Sequence, residues 1–203
     1  MALGGGDGKL RVWNLQAGAI QEWGAHQQSI KEVLALRTQD GWNGDGFATG
    51  SFDKTVALWT TPGSQPAVKI PLLFKVFAMD GMAPYLLVAG SDRHVSLYDM
   101  RKCQAAVWAE YSPLQWQTRC ACLIPGKNSA QEPLGFALGG VDGSLGAVPF
   151  SNCSQARRLC VTSPPSSPGA SRCAVNAVRR LPELPGKILA GGGDGRITGW
   201  TVD

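Results

Sequence analysis

An all-β protein built from repeated antiparallel hairpins is what this sequence predicts, and three observations carry the prediction. Five aspartates, Asp7, Asp53, Asp92, Asp142 and Asp194, recur at intervals of 46, 39, 50 and 52 residues. Six residues after each stands Trp13, Trp59, Tyr98, Val148 or Trp200, and three after each an apolar side chain, Leu10, Val56, Val95, Leu145 or Ile197. Just ahead of each runs a small, apolar, glycine-rich stretch, such as Phe47-Ala48-Thr49-Gly50 or Leu189-Ala190-Gly191.

Each unit reads as a strand, a tight turn at the aspartate, and a returning strand. Side chains alternate along a strand, so positions three and five after the aspartate share a face. Glycine supplies the unusual turn dihedrals, and the aspartate can bond nearby backbone N–H groups. The spacing suits one four-stranded propeller blade per repeat. Residues 1–203 are therefore expected to form one β-propeller segment of about five blades. The pattern opens and closes inside a blade, which predicts part of a ring of seven, with a closed five-bladed ring as the alternative. Residues 149–172 carry the run Ser163-Pro164-Pro165-Ser166-Ser167-Pro168-Gly169. Such a composition cannot build a core, and the stretch is expected to be a surface loop insertion.

Composition agrees with this and excludes several functions. Charged residues are only 17% and glycines number 26. The net charge of +4 permits acidic partners without requiring them. No apolar run reaches membrane-spanning length. Six cysteines (Cys103, Cys120, Cys122, Cys153, Cys160 and Cys173) have no CxxC spacing and only His26 and His94 for company, so neither a metal site nor a cofactor is expected. Gly4-Gly5-Gly6-Asp7-Gly8 invites comparison with a phosphate-binding loop. Such loops open a helix, whereas here the strand pattern Leu10-Arg11-Val12-Trp13 follows. No carboxylate pair or nucleophile–base spacing speaks for an enzyme.

The stretch Gly50-Ser51-Phe52-Asp53-Lys54-Thr55-Val56-Ala57-Leu58-Trp59 closely resembles the second and third strands of a WD repeat, with Ala25-His26 where that family usually has Gly-His. The resemblance implies a buried hydrogen-bonded chain of His26, Asp53 and Trp59 with Thr49 or Ser51. A hydrolase triad is the rival reading of these residues. Their place inside a repeat favours a structural network. The other repeats lack the histidine, so packing is expected to hold them.

Ser112-Pro113-Leu114-Gln115-Trp116-Gln117-Thr118-Arg119-Cys120 resembles a segment shared by two sister WD-repeat families, the nuclear-pore mRNA-export factors and the mitotic-checkpoint proteins. Gly135-Phe136-Ala137-Leu138-Gly139 looks closer to the export factors. The resemblance spans nearly the whole chain and implies a non-enzymatic adaptor in the nucleus, at the nuclear pore complex, and also in the cytoplasm. The implied partner is a GLEBS-type peptide of a nucleoporin, laid across one face of the propeller. Single-stranded RNA is a further ligand, and the alternative is a checkpoint role with kinases as partners. Arg119 is expected to grip a peptide carboxylate with its planar fork, and Phe52 to pack beside it, with Gln117 and Lys54 as neighbouring contacts. Two positions depart from the family pattern. Gln115 stands where a lysine is usual and Ser144 where an arginine is usual. Arg157, Arg158, Arg179 and Arg180 are candidates to restore the positive charge.

Overall fold

The computed structural model describes residues 1–24, 26–42, 44–61, 63–126, 132–150, 157–160, 173–181, 184 and 186–201, with residue 39 and residues 157–160 in backbone only. Among the described residues, eighteen strands form five antiparallel sheets, each ordered as the chain runs. The first sheet holds β1 (Ala2–Gly4), β2 (Lys9–Asn14) and β3 (Ala19–Gly24). Three four-stranded sheets follow. The second holds β4 (Ile30–Leu36), β5 (Gly46–Ser51), β6 (Thr55–Thr60) and β7 (Val68–Pro71). In the third are β8 (Val76–Met82), β9 (Tyr85–Gly90), β10 (His94–Asp99) and β11 (Ala106–Tyr111). The fourth comprises β12 (Thr118–Pro125), β13 (Pro133–Gly140), β14 (Ser144–Pro149) and β15 (Arg157–Cys160). The last has β16 (Val175–Arg180), β17 (Lys187–Gly192) and β18 (Ile197–Thr201). No helix among the described residues is long and apolar enough to cross a membrane.

Each junction between consecutive sheets has its own core, which is the arrangement of propeller blades packed face to face. Leu10 and Trp23 of the first sheet pack with Ile30, Ala57 and Trp59 of the second. Val56 and Ile70 meet Val76, Leu86 and Val88 at the next junction. Leu87, Ala89 and Val95 meet Leu123, Phe136 and Leu138 at the third. Cys122 and Leu145 meet Val178 and Ile188 at the fourth. The run Leu86-Leu87-Val88-Ala89 shows why these strands are apolar without a break. Leu86 and Val88 face the preceding blade while Leu87 and Ala89 face the following one, so both faces of β9 are covered.

All five repeat aspartates sit in a turn between two consecutive strands: Asp53, Asp92 and Asp142 between the two middle strands of a four-stranded sheet, Asp7 between β1 and β2, and Asp194 between β17 and β18. In four of them the carboxylate accepts the N–H two residues on, from Lys9, Thr55, Ser144 or Arg196. The residue after the aspartate is left-handed in all five: Gly8, Lys54, Arg93, Gly143 and Gly195, with φ between 63° and 81°.

One expectation is corrected. Within 149–172, Pro149 closes β14, and Arg157–Cys160 is a strand paired with Ser144–Ala147, completing the fourth blade. Backbone pairing along an open strand edge gives this short segment a place that its composition does not announce. The Ser163–Gly169 run lies outside the described residues, as do 151–156.

Candidate functional site

The four innermost strands, β4, β8, β12 and β16, share one irregularity. Ile30 pairs with Ser51 and Glu32 with Gly50, which leaves Lys31 without a partner on β5. The same slip leaves out Phe77 on β8, Arg119 on β12 and Asn176 on β16. A bulge of this kind re-aims the extra side chain. Lys31, Phe77, Arg119 and Asn176 all line one cavity of about 450 Å³, bounded by residues on or next to the four innermost strands.

Small residues opposite the bulges make this geometry possible. Gly50, Ala89, Gly139 and Gly191 each stand three before a repeat aspartate and pair with the residue just after the bulge. A Cβ on Gly50 would come within 2.6 Å of Val76 Cγ1 in the next blade, and one on Gly139 within 2.7 Å of Val175 Cγ1. At Gly50 and Gly139 the glycine before the aspartate thus serves close blade contact as well as the turn.

The cavity is electropositive. Its walls carry Lys31, Arg119 and Arg179 against one carboxylate, Glu32. Glu32 sits 3.4 Å from Lys31, and burial pushes its carboxyl above the ordinary range despite the pull of Lys31 and Arg179. Arg119 is exposed and has no carboxylate partner among the described residues. Arg180 points elsewhere. Its guanidinium meets Asp80 at 2.6 Å and donates to the Gly81 carbonyl at 2.9 Å. Asp80 also accepts the Leu123 N–H at 2.8 Å, so the pair ties three blades together. Of the four candidate arginines, then, Arg179 adds charge to the cavity and Arg180 is neutralised. The side chains of Arg157 and Arg158 lie outside the described atoms.

The other expected contacts lie at different distances from this cavity. Gln117 is one of its walls, and its carbonyl accepts the Val141 N–H at 3.1 Å. Phe52 is not a wall, but its ring meets Phe77 edge-on at 6.0 Å and 87°. Lys54 is exposed on the turn beyond it, with φ +65°. Gln115 is exposed, whereas Ser144 is buried and its hydroxyl donates to Asp142. Sequence reasoning missed Lys31, Phe77, Asn176 and Glu32 as cavity walls. The small residue three before each aspartate was the available signal, since it marks where the innermost strand bulges.

His26, Thr49, Asp53 and Trp59 form a continuous chain. Trp59 Nε1–H donates to Thr49 Oγ1 at 3.0 Å, and that hydroxyl lies 2.8 Å from His26 Nε2. On the other side of the ring, His26 Nδ1 is 3.1 Å from Asp53 Oδ2 and 2.9 Å from Thr55 Oγ1. The arrangement assigns the imidazole proton to Nδ1 and lets Nε2 accept from Thr49. Ser51 takes no part in it, because its hydroxyl reaches the carbonyls of Gln28 and Ser29. A hydroxyl, an imidazole and a carboxylate in line also describe a hydrolase triad. Here Thr49 and the His26 side chain are fully buried, so no substrate reaches the hydroxyl. Burial dominates the imidazole, pushing its pKa below 6.5 against the pull of Asp53. For Asp53, hydrogen bonds from Thr55, the Gln27 N–H and His26 outweigh burial and hold the carboxyl below 3.8.

Burial pushes the Cys120 thiol up to about 11 and the Cys122 thiol to about 12, so both stay protonated near neutral pH. Among the described residues, no group of three or more His, Cys, Asp and Glu could hold a metal ion. The arrangement offers a positive concavity edged by an aromatic pair, which suits recognition of an acidic ligand.

Known proteins resemble the chain along its length. It is 28% identical over 206 residues to the Poly(A)+ RNA export protein of Schizosaccharomyces pombe, covering 100% of this chain and 56% of the relative. Identity is 29% to mRNA export factor rae-1 of Caenorhabditis elegans, with 97% and 53% covered. It is 27% to mitotic checkpoint protein BUB3.1 of Arabidopsis thaliana, with 97% and 57% covered. The chain thus spans about half the length of the curated relatives it matches. No family model matches it. With aspartate-turn blades and these similarities together, the chain is a set of WD-repeat-type β-propeller blades similar in sequence to mRNA export factors and to mitotic checkpoint proteins.

Proposed function

We propose that the chain is a non-enzymatic adaptor of mRNA export that binds a GLEBS-type peptide of a nucleoporin at the cavity lined by β4, β8, β12 and β16. The observation that carries this reading is Arg119. A bulge aims it into a positive cavity, without a carboxylate partner among the described residues, beside an aromatic pair. Arginine's planar fork can hold a peptide carboxylate through two hydrogen bonds. Phe52 and Phe77 offer an apolar surface for a neighbouring peptide side chain, Gln117 an amide, and Lys54 a second cation at the rim. The names of the relatives support the export role, and with it residence in the nucleus, at the nuclear pore complex, and in the cytoplasm. Single-stranded RNA is a secondary partner in this reading, drawn to the same positive face.

The test is calorimetric titration of the protein with a nucleoporin GLEBS peptide, repeated with Arg119→Ala. Binding that survives Arg119→Ala unchanged would remove the basis for the site. A checkpoint role is the second reading, favoured by the similarity to mitotic-checkpoint proteins. Co-purification separates the two, because nucleoporins and export receptors support the first while checkpoint kinases support the second.

A further inference from the structure

We infer that this cavity also binds a compact, multiply charged phosphate compound, held by Lys31, Arg119 and Arg179. The inference shares Arg119 with the peptide reading and is otherwise independent of it.

The three cations come from three different blades, on β4, β12 and β16, and converge on a single concave space. Two of them are bulge residues held by rigid strands. Such placement of like charges is unfavourable unless an anion lies between them, and a concave site focuses their field. Only Glu32 opposes them from the walls, and it is already beside Lys31. The contrast with Arg180 is instructive. For that residue the fold supplies a carboxylate at 2.6 Å, whereas among the described residues Arg179 donates only to the neighbouring Val178 carbonyl.

One peptide carboxylate would answer one of the three cations. Each phosphate group brings about −1.5 to −2 charges and three acceptor oxygens. It therefore matches a cluster of arginine forks and a lysine better than a carboxylate does. The amides of Gln117 and Asn176 line the same space and can donate to the remaining oxygens. A volume of about 450 Å³ falls within the range of small-molecule sites.

Calorimetry on the whole chain at an ionic strength of about 0.15 M tests this, with tripolyphosphate, inositol hexakisphosphate and ATP as probes. The expected result is saturable one-to-one binding that Arg179→Ala and Lys31→Ala each weaken by about tenfold, the loss of one charge-assisted contact. Both side chains are exposed, so the variants should melt like the parent. Arg101→Ala is the control, since Arg101 pairs with Asp99 outside the cavity and should leave affinity unchanged. Comparable affinity for all three probes supports the shared polyphosphate chemistry. Preference for ATP that Phe77→Ala abolishes identifies a nucleotide as the source, and preference for inositol hexakisphosphate that Phe77→Ala leaves intact identifies an inositol phosphate. Absence of saturable binding overturns the inference. So does equal weakening by Arg101→Ala and Arg179→Ala, which would mark diffuse attraction to a basic surface. Phe52→Ala keeps the two readings apart, because Phe52 is not a cavity wall and its loss should impair the peptide alone.

Discussion

The ring of Phe52 meets the ring of Phe77 edge-on at 6.0 Å, and Phe77 shares a cavity wall with Arg119. Phe52 comes from the turn of the second blade and Phe77 from the bulge of the third, so the aromatic pair bridges two blades on the way to the arginine. Phe52 thus touches a wall of the cavity without lining it.

Phe77→Ala is expected to weaken peptide binding as much as Phe52→Ala does, and the double variant little more than either alone. An aromatic pair contributes about 0.5–1.5 kcal/mol beyond its buried area, which sets the expected coupling. A double-mutant cycle by calorimetry reads it directly. Fully additive losses would mean that the two rings serve separate contacts.

Arg119→Ala is expected to cost about 2–5 kcal/mol of peptide affinity, the loss typical when a carboxylate shielded on binding is left without its partner. The open mouth of the cavity favours the lower end of that range. Arg119→Lys should recover only part of the loss, because an ammonium group cannot reproduce the two-pronged contact. A lysine variant that binds as tightly as the parent would rule out the forked geometry.

What the sequence reveals of this site follows from how local each feature is. The aspartate turns are legible because carboxylate, left-handed residue and returning strand lie within a few positions, as in Asp53, Lys54 and Thr55. The His26–Asp53 contact spans 27 residues and was reached only through family resemblance. The bulges depend on the register between two strands joined by loops of unequal length. Lys31 precedes its aspartate by 22 positions and Phe77 by 15, so no fixed spacing exposes them. Arg179 and Arg180 are adjacent and chemically identical, yet alternation along β16 sends one to the cavity and the other to Asp80. The strand Arg157–Cys160 is not legible in the sequence because loop-like composition flanks it on both sides and its order comes from pairing with β14.

The same turn aspartate should have different weight in different blades. Asp53→Ala removes the acceptor for the Gln27 and Thr55 N–H groups and leaves buried His26 short of a partner, an expected loss of about 1–3 kcal/mol. Asp7→Ala breaks an exposed contact with Arg11, and ion pairs in water contribute little. Its melting temperature should stay near that of the parent. Equal destabilisation in a urea series would count against the buried chain as the source of the difference.

Acidification should weaken the fold in two stages. Burial lowers the pKa of His26 below 6.5, so below that pH the unfolded chain binds a proton that the native imidazole resists. Stability is therefore fully present above pH 6.5 and declines as the pH falls beneath it. The hydrogen bonds on Asp53 lower its pKa below 3.8, and their contribution is lost as the pH drops below that value. Unfolding free energies of the parent and of His26→Gln, compared between about pH 7.5 and about pH 5, isolate the first stage. The variant should be less stable throughout but lack that part of the slope, and an unchanged slope would assign it to other groups.

Lys54 occupies a backbone position that three of the other four blades give to glycine. Its φ is +65°, beside +78° for Gly8, +79° for Gly143 and +81° for Gly195. A left-handed conformation costs a residue with a Cβ roughly 1–2 kcal/mol. Glycine avoids that cost but loses more freedom on folding, by roughly 0.5–1 kcal/mol. Lys54→Gly is therefore expected to raise stability by up to about 1 kcal/mol, whereas Lys54→Ala keeps the strain and should raise it little or not at all. Both variants remove the rim cation, so both should weaken binding of the acidic peptide, by less than Arg119→Ala because Lys54 is exposed and outside the cavity walls. Stability and affinity should thus separate in the glycine variant: a higher melting temperature with a weaker complex. Should Lys54→Gly and Lys54→Ala both bind the peptide with parental affinity, Lys54 serves only the turn and drops out of the binding surface.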